Sequence, residues 1–440
     1  MLKTWMKRGV PLSLALVWGC LAEDTAPLKL TLKDAVSLAL NQNPQVILAN
    51  LQVSQSQQDR LLARSALLPQ ANANVSEAVN RLNLQAAIGL TIPGFAQHVG
   101  PFEVFQAGVG VNAPIFDLTL WRRYKSSQMG IETRRAQETS VREESVMLVV
   151  SQYLGCQRAA ADVEAAQSRV DLAQAVYDQS ADLQKNGVGT GIDTLRGNVQ
   201  LQNEKQRLIV ARTQLETSLY GLARLLNLDP RRAIEIADQV SFFDTPAISL
   251  DQTLEKAYTA RPELRALRTE EERAGLDARA AADERLPKVS FSGFWMQQGL
   301  APDSAIPAYQ YEGSVVFPLF TGGRIQADRA KADLAIRQLQ QREQDLRNRI
   351  ALEVKTAAVQ VEAARSEVTV ANLGIQLAHE EVTQARDRFQ AGVTNNLEVI
   401  NAQDELARAN DNQIGALYRY NQARASLAYA VGQMEALYAK

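Results

Sequence analysis

Residues 354–389 read VKTAAVQVEAARSEVTVANLGIQLAHEEVTQARDRF, and this stretch decides the fold. Apolar side chains recur in it at alternating spacings of three and four residues over five heptads. The positions are Val354, Ala357, Val361, Ala364, Val368, Ala371, Ile375, Ala378, Val382, Ala385 and Phe389. A seam of this period is typical of a coiled coil, and the alternation of large residues with alanine permits close approach of a second helix.

A second apolar seam runs along the same helix, two residues out of phase with the first. Its members are Leu352, Val359, Ala363, Val370, Leu373 and Leu377. Two residues rotate by about 200° around a helix axis, so the two seams face nearly opposite sides. A two-helix coiled coil needs one seam. Two opposed seams are typical of a helix that stands in a wall between two neighbours.

Proline placement extends the helical prediction to most of the chain. The sequence contains 14 prolines, but none lies in residues 115–229 or 319–440. These two stretches are rich in Ala, Gln, Leu, Glu and Arg, the residues that lose least on entering a helix. Very long helices are therefore expected in both.

The two halves of the chain repeat each other. Three anchors of the first half recur 218 residues later. They are Leu32-Lys-Asp-Ala-Val with Leu250-Asp-Gln-Thr-Leu, Asn43-Pro44 with Arg261-Pro262, and Leu68-Pro69 with Leu286-Pro287. Further on, Ala113-Pro114-Ile115-Phe116 matches Phe317-Pro318-Leu319-Phe320 at an offset of 204, and the seam has a counterpart in residues 149–177. A duplicated unit follows from this order of matches.

Each unit is predicted to contain helices, two strands and then two long helices. The first unit, 23–227, has helices within 31–67, strands 70–84 and 103–116, and long helices 119–185 and 192–226. The second unit, 249–440, has helices within 249–284, strands 288–298 and 308–320, and long helices 322–390 and 396–432. Residues 228–248 form a joining segment.

The predicted strands alternate between apolar and polar side chains. In the last strand Tyr309, Tyr311 and Val315 oppose Gln310 and Glu312. An ordinary half-buried sheet has this pattern, and so does the wall of a lipid-facing barrel with a polar lumen. Four strands cannot close a barrel, and open edges are not tolerated in lipid. A membrane wall would therefore need several chains.

The N-terminus is predicted to be a secretory signal peptide over residues 1–22, with a basic start and an apolar segment at 10–18. Two cleavage positions are compatible with this sequence. Val17-Trp18-Gly19-Cys20 resembles a lipobox, which would make Cys20 a lipidated residue, and cleavage after Ala22 is the alternative. In both cases the chain is exported.

Charge and composition exclude several classes of function. The formal net charge of −2 lacks the basic excess that nucleic-acid binding needs. Two cysteines and two histidines leave little for a metal site or a histidine-based triad, and no nucleophile or cofactor motif is present. We expect neither an enzyme nor a cofactor. An exported coiled-coil structural or scaffold protein remains as an alternative to a membrane channel.

With these features, the chain from Leu30 to about Gly432 resembles the TolC-type outer-membrane efflux channels. The resemblance is carried by the duplicated plan, the two X-Pro steps, the two strand ends and the segment Arg388-Phe389-Gln390-Ala391-Gly392-Val393. It implies a mainly α fold with a β-barrel part. Three copies would form a 12-stranded β-barrel in the outer membrane of a Gram-negative bacterium and an α-helical barrel across the periplasm.

The same resemblance implies a function and partners. The chain would be the outer-membrane exit duct of a tripartite efflux or type I secretion system, passive and without a catalytic site. Its partners would be two further copies of itself, outer-membrane lipid, a periplasmic adaptor protein and an inner-membrane pump of RND, ABC or MFS type.

The resemblance also points to the turn between the last two long helices as a periplasmic gate. Acidic gate positions of the family follow the turn glycine, here Gly392, by six and nine residues, which gives Glu398 and the amide Asn401. Phe389 holds the position of a usual aromatic. In the first unit the counterparts are Gly187 and Asp193. For the two acids, a helix-start role beside the positive end of the helix dipole is the alternative.

Overall fold

The structure is a computed structural model that describes residues 27–90, 94, 96–229, 231–238, 249–394 and 396–439. The predicted signal peptide, with Cys20, lies outside the described residues, and so does part of the joining segment.

The first unit begins with a short strand and ends with two long helices. Its elements are β1 (Leu28–Leu30), α1 (Leu32–Gln42), α2 (Pro44–Ser65), β2 (Gln70–Asn83), α3 (Leu84–Ile88), β3 (His98–Phe116), α4 (Leu118–Lys185) and α5 (Gly191–Leu225). Asp117 caps α4 by accepting a hydrogen bond from the Leu120 N–H at 3.2 Å.

The second unit repeats this order after one more short strand. Its elements are β4 (Ile234–Ile236), α6 (Leu250–Ala260), α7 (Pro262–Asp283), β5 (Lys288–Gly299), β6 (Ile306–Val316), α8 (Arg324–Gln390), α9 (Asn396–Val431) and α10 (Met434–Tyr438). The long helices α4 and α8 contain 68 and 67 residues, so each is about 100 Å long.

Four strands form one antiparallel sheet in the order β2-β3-β5-β6. Val109 of β3, for example, pairs with Ala73 on one side and with Trp295 on the other. Large side chains of one face are exposed, namely Val75, Val79, Val109, Phe291, Trp295, Tyr309, Tyr311 and Val315. The opposite face carries amides, serines and an acid, including Asn72, Asn74, Gln106, Asn112, Ser292, Gln310 and Glu312. The alternation read from the sequence is therefore present in the sheet.

Three parts of the sheet structure differ from the sequence prediction. β3 begins at His98, five residues before the predicted start at 103. β6 ends at Val316, four residues before the predicted end at 320, and Pro318 beyond it has no backbone N–H to donate to a ladder. The joining segment was predicted without strands, yet β4 lies within it and pairs in parallel with β1 in a separate two-stranded sheet.

Helices below the sheet keep the order of the strands to which they connect. α2 packs on α4, α4 on α7 and α7 on α8, which matches β2, β3, β5 and β6. Farther from the sheet, α4 pairs with α5 and α8 with α9 as two helical hairpins, and α4 also contacts α9. The molecule is thus one layer of helices continuing one sheet.

The first apolar seam is buried inside the α8–α9 hairpin, as predicted. Val354, Val361 and Val368 are at most 2 % exposed, and Ala364 packs with Tyr420 of α9. In the first unit Cys156 occupies the corresponding seam and is fully buried. Burial raises the pKa of its thiol to about 12, so Cys156 acts as a small apolar side chain.

The second seam has no cover within the described chain. Val359 and Val370 are 70 % and 71 % exposed, and Leu352, Leu373 and Leu377 are exposed as well. A row of large apolar side chains on one side of a helix is unusual for a surface that stays in water.

The two X-Pro steps explain how each unit closes on itself. Pro44 and Pro262 each occupy the first turn of a helix, where a missing N–H is harmless. The residue before each proline then reaches the end of the last long helix of its unit. Asn43 Nδ2 donates to the Leu225 carbonyl at 2.8 Å, and Arg261 donates to the Tyr429 carbonyl at 3.1 Å.

We call Asn43 and Arg261, with these contacts to helix ends, the two clamps of the fold. Arg261 makes more interactions than Asn43. Its side chain is 5 % exposed, and its guanidinium nitrogens lie 3.0 Å from carboxylate oxygens of Glu263 and of Glu353. The guanidinium also stands over the Tyr429 ring, 5.1 Å from the ring centre. It therefore joins α7, α8 and the end of α9 at one point.

We expect Arg261→Ala to lower the free energy of unfolding by about 1.5 to 3 kcal/mol, because it removes the charge-assisted hydrogen bonds that a buried guanidinium donates to Glu263 and to the Tyr429 carbonyl. Denaturant unfolding of the purified protein measures this. Arg265→Ala, which removes an exposed arginine of the same helix, is the control and should stay within about 0.5 kcal/mol of the wild type. Equal effects of the two changes would contradict the clamp.

Candidate functional site

The candidate site lies where the long helices turn at the end farthest from the sheet. Helix α8 ends in a Schellman motif, in which Gly392 N–H donates to Phe389 O and Val393 N–H to Arg388 O, both at 3.0 Å. Gly392 has φ 69°. The motif requires this left-handed conformation, and glycine adopts it without a steric penalty.

The first unit turns in the same way. Gly187 has φ 75°, and its N–H donates to Gln184 O at 3.0 Å. Val188 N–H donates to Leu183 O at 3.0 Å. The two glycines selected from the sequence therefore hold equivalent positions at the turns of the two hairpins.

Both predicted acids lie in the first turn of a helix. Asp193 is near the start of α5, where its N–H donates to the Thr190 hydroxyl oxygen at 3.4 Å and its carboxylate accepts from that hydroxyl. Glu398 is near the start of α9, and its carboxylate accepts from the Thr394 hydroxyl. Each carboxylate thus lies at the N-terminal end of a helix, beside the positive end of the helix dipole.

Glu398 has a partner that the sequence reasoning missed. The Arg388 Nε lies 3.0 Å from Glu398 Oε1 and joins the last turn of α8 to the first turn of α9. Both side chains are partly exposed, so the pair contributes at most about 1 kcal/mol to stability. Its larger effect is electrostatic, because each Glu398 charge is accompanied by a positive charge of the same chain.

Phe389 packs between the helices next to the α8–α9 turn. It is half-buried and packs against a cluster formed by Val176, Val382, Ala385, Val399 and Ala402. This cluster contains residues of α4, α8 and α9, so the aromatic ring lies where the two hairpins meet. Asn401 is exposed, next to the buried Ala402.

The site thus consists of two turns. The structure brings Phe389, Gly392 and Glu398 together at the α8–α9 turn, and Gly187 and Asp193 at the α4–α5 turn. Within the described ranges, no group of three or more His, Cys, Asp or Glu side chains is arranged to hold a metal ion.

None of the described helices combines the length and the apolar character that crossing a membrane requires.

A protein-family model for "Outer membrane efflux protein" matches residues 35–228 and 253–433. The two matched segments correspond to the two repeated units. Together they cover most of the chain.

Two relatives from Pseudomonas aeruginosa align over nearly the whole chain. The alkaline protease secretion protein AprF is 23 % identical over 425 residues, which is 92 % of this chain and 85 % of AprF. The pyoverdine export outer membrane protein OpmQ is 21 % identical over 398 residues, which is 86 % of this chain and 80 % of OpmQ.

Solved structures of outer-membrane channels share the fold. The Campylobacter jejuni CmeC channel superposes with a TM-score of 0.79 at 18 % identity, covering 91 % of this chain and 85 % of CmeC. VceC from Vibrio cholerae superposes with a TM-score of 0.78 at 16 % identity, covering 91 % of this chain and 96 % of VceC. The channel OprN superposes with a TM-score of 0.77 at 18 % identity, covering 91 % of this chain and 90 % of OprN.

We expect Gly392→Ala to destabilise the protein by about 1 to 2 kcal/mol, because an L-residue is strained at this left-handed φ. Gly275→Ala is the control, since Gly275 lies inside α7, which packs between α4 and α8 of the same chain, and a Cβ at this position meets nothing within 4 Å. The control should raise stability by about 0.5 to 1 kcal/mol through helix propensity. Thermal unfolding of both variants measures the difference, and a stabilised Gly392→Ala variant would contradict the turn geometry.

Proposed function

The chain belongs to the outer membrane efflux protein family, and we propose that three copies of it form one passive exit duct across the outer membrane and the periplasm. The observation that carries the proposal is the state of the single chain. In the part of the chain that the structure describes, the sheet has two open edges and a long helix has one uncovered apolar seam.

The sheet argument concerns the strands β2 and β6. Among the described strands each has a partner on one side only, and unpaired backbone groups in lipid cost several kcal/mol each. Three four-stranded sheets joined edge to edge leave no edge and give twelve strands. The face with Trp295, Tyr309 and Tyr311 would then meet lipid, and the amide-rich face would line the lumen.

The helix argument leads to the same assembly. In the order α2-α4-α7-α8 the last helix has no neighbour on its outer side, and the second seam is exposed on α8. A second copy placed beside β6 also brings its helices beside α8. Burying Val359, Val370 and Leu377 there would contribute about 1.5 to 3 kcal/mol for each side chain.

The duct would open into the periplasm at the helix turns. Three copies of Glu398 near a common axis would form a ring of acids, and charged rings of this kind select ions in pores. In each chain Arg388 is 3.0 Å from Glu398, so the ring alternates in sign. The amide at Asn401 makes the constriction less acidic than two acids per chain would.

The proposed partners are a periplasmic adaptor protein and an inner-membrane pump of RND, ABC or MFS type. One relative is named for secretion of alkaline protease and the other for export of pyoverdine. Relatives that share this family are thus named for very different cargoes, which supports selection of the cargo by the pump rather than by the fold of the duct. Family membership also favours the duct over the coiled-coil scaffold that the sequence left open.

We expect the purified full-length protein to be a trimer in detergent. Native mass spectrometry should give three times the mass of the processed chain, and membrane fractionation should place the protein in the outer membrane. A monomer with its full β content, or a protein soluble without detergent, would contradict the assembly. The scaffold interpretation would then be the better one.

We expect Glu398→Gln to shift the ion selectivity of the duct towards anions, because the charges of three Glu398 and three Arg388 balance in the wild type and the variant leaves the three Arg388 charges unpaired. Reversal potentials in planar bilayers at low salt measure the change, since salt screens charges beyond about 10 Å at 0.1 M. Glu216→Gln removes an exposed acid of α5 far from the turn and is the control. Identical selectivity of wild type and Glu398→Gln would place the gate elsewhere.

A further inference from the structure

We propose that the exported chain is cleaved between Ala22 and Glu23, so that Cys20 leaves with the signal peptide and does not become a lipid anchor. The sequence is compatible with both cleavage positions, since Cys20 ends a lipobox-like segment and Cys20-Leu21-Ala22 has small residues at its two ends. What separates the two is the distance that a lipid on Cys20 would have to reach. The proposal rests on the duct function given above, because it uses the position of the sheet in the outer membrane.

The N-terminal strand β1 is fixed to the middle of α4. β1 pairs in parallel with β4, and Leu30 at its end is 2 % exposed. The hydroxyl of Tyr153, a fully buried residue of α4, donates to the Leu30 carbonyl oxygen at 2.9 Å. Just beyond the strand, the Leu32 N–H donates to Asp238 Oδ2 at 2.6 Å. Leu30 and Tyr153 belong to one apolar core with residues of α1, α5 and α9, so β1 cannot leave its place without opening that core.

Tyr153 is far from the outer membrane. The sheet is the part of the duct that crosses the lipid, and α4 begins at Leu118, directly below the end of β3. At 1.5 Å per residue, Tyr153 lies about 52 Å along α4 from Leu118. An inclination of the helix by about 20°, as in helical bundles, reduces this depth to about 49 Å. The polar headgroup layer is about 6 Å thick on each side of a bilayer, which leaves about 43 Å to be bridged.

The chain from Cys20 to Leu30 is too short for this span. Fully extended, it covers at most about 36 Å at 3.6 Å per residue. That limit holds for a straight chain aimed at the membrane, and every other path reaches less far. A diacylglyceryl group on the Cys20 sulfur anchors a protein only when its acyl chains lie in the hydrocarbon layer. Reaching that layer would require β1 to separate from β4 and Leu30 to leave the core.

The inner membrane is out of reach of Cys20 as well. α4 continues from Tyr153 for about 48 Å to its end at Lys185. The helix turns therefore lie farther from Leu30 than Cys20 can extend, and in the duct the inner membrane lies beyond the turns. A lipid on Cys20 would be held at mid-height of the helical wall, away from both bilayers.

Cleavage after Ala22 has no such conflict. Water hydrolyses the Ala22–Glu23 peptide bond, which gives a carboxylate on Ala22 and a free amine on Glu23. The new amine lies within about 18 Å of Leu28, since five residues cannot extend farther. The mature N-terminus is then in the water of the periplasm, and the strands of the sheet hold the chain in the outer membrane.

Mass spectrometry of the purified protein tests the assignment. The full chain is expressed with its signal peptide in a Gram-negative host, extracted from the outer membrane and denatured. We expect each chain to begin at Glu23 and to carry no acyl group. A chain that begins at Cys20 with a diacylglyceryl thioether on its sulfur would overturn the proposal.

Two matched variants change the two ends of the Cys20-Leu21-Ala22 segment. Cys20→Ser keeps a small residue, so the cleavage and the amount of protein in the outer membrane should equal those of the wild type. A lipoprotein would lose its processing in this variant, because serine has no thiol. Ala22→Leu places a bulky side chain before the cleaved bond and should cause loss of the processed form. Normal processing of Ala22→Leu, or loss of processing in Cys20→Ser, would contradict cleavage after Ala22.

The cleavage site and the duct function can fail separately. A trimer in the outer membrane whose chains begin at a lipidated Cys20 would overturn the cleavage site and leave the duct standing. A protein that begins at Glu23 but is monomeric, or soluble without detergent, would confirm the cleavage site and contradict the duct.

Discussion

The unpaired edges of the four-stranded sheet are the constraint on which the rest of the structure depends. β2 and β6 can be completed only by other strands, and each continues a helix of the layer below. Because β6 leads into α8, the chain that completes this edge also stands beside the exposed seam of α8. One neighbouring chain thus pairs the open backbone groups of β6 in lipid and also buries the apolar side chains of α8 that would otherwise face water. The open sheet edges and the exposed seam of α8 therefore favour the same trimeric assembly.

Much of the fold could be predicted from the sequence because its signals are local and periodic. The 3-4 seam and the absence of proline predicted a long helix over 322–390, which starts two residues before α8 and ends with it, and the repeat extended that interpretation to α4. The β1–β4 pairing was missed because two strands of three residues, about 200 residues apart, carry no periodic signal. The Asn43 and Arg261 clamps were visible only as X-Pro steps, since their carbonyl partners lie on distant helix ends.

Less of the candidate site was predictable. The turns at Gly187 and Gly392 follow from a residue type that suits a left-handed φ, and that is a local property. The contact of Arg388 with Glu398 depends on how tightly the turn folds back, and the contact of Arg169 with Asp411 joins residues 242 positions apart. The sequence contains no local signal for the carboxylate partner of either arginine. Only the packing of the hairpins shows which carboxylate each one reaches.

The two kinds of helix contact differ in how readily they can move. Within the α8–α9 hairpin the seam is dry and interdigitated, so sliding would unpack side chains such as Val361 and Tyr420 that are almost fully buried. Nearer the sheet, α9 is buried against α4 and α5, since Ala425 and Ala428 pack in one apolar core with Val149 and Leu222. Near the turns the hairpins meet through the smaller cluster of Val176 with Val399 and Ala402 and through polar contacts of Arg169 with Asp411 and of Gln200 with Asp404. Motion between the hairpins near the turns therefore disrupts less buried apolar surface than motion within one hairpin. If α8 and α9 move together, Arg388 travels with Glu398, and the opening changes width while its charge pattern stays the same.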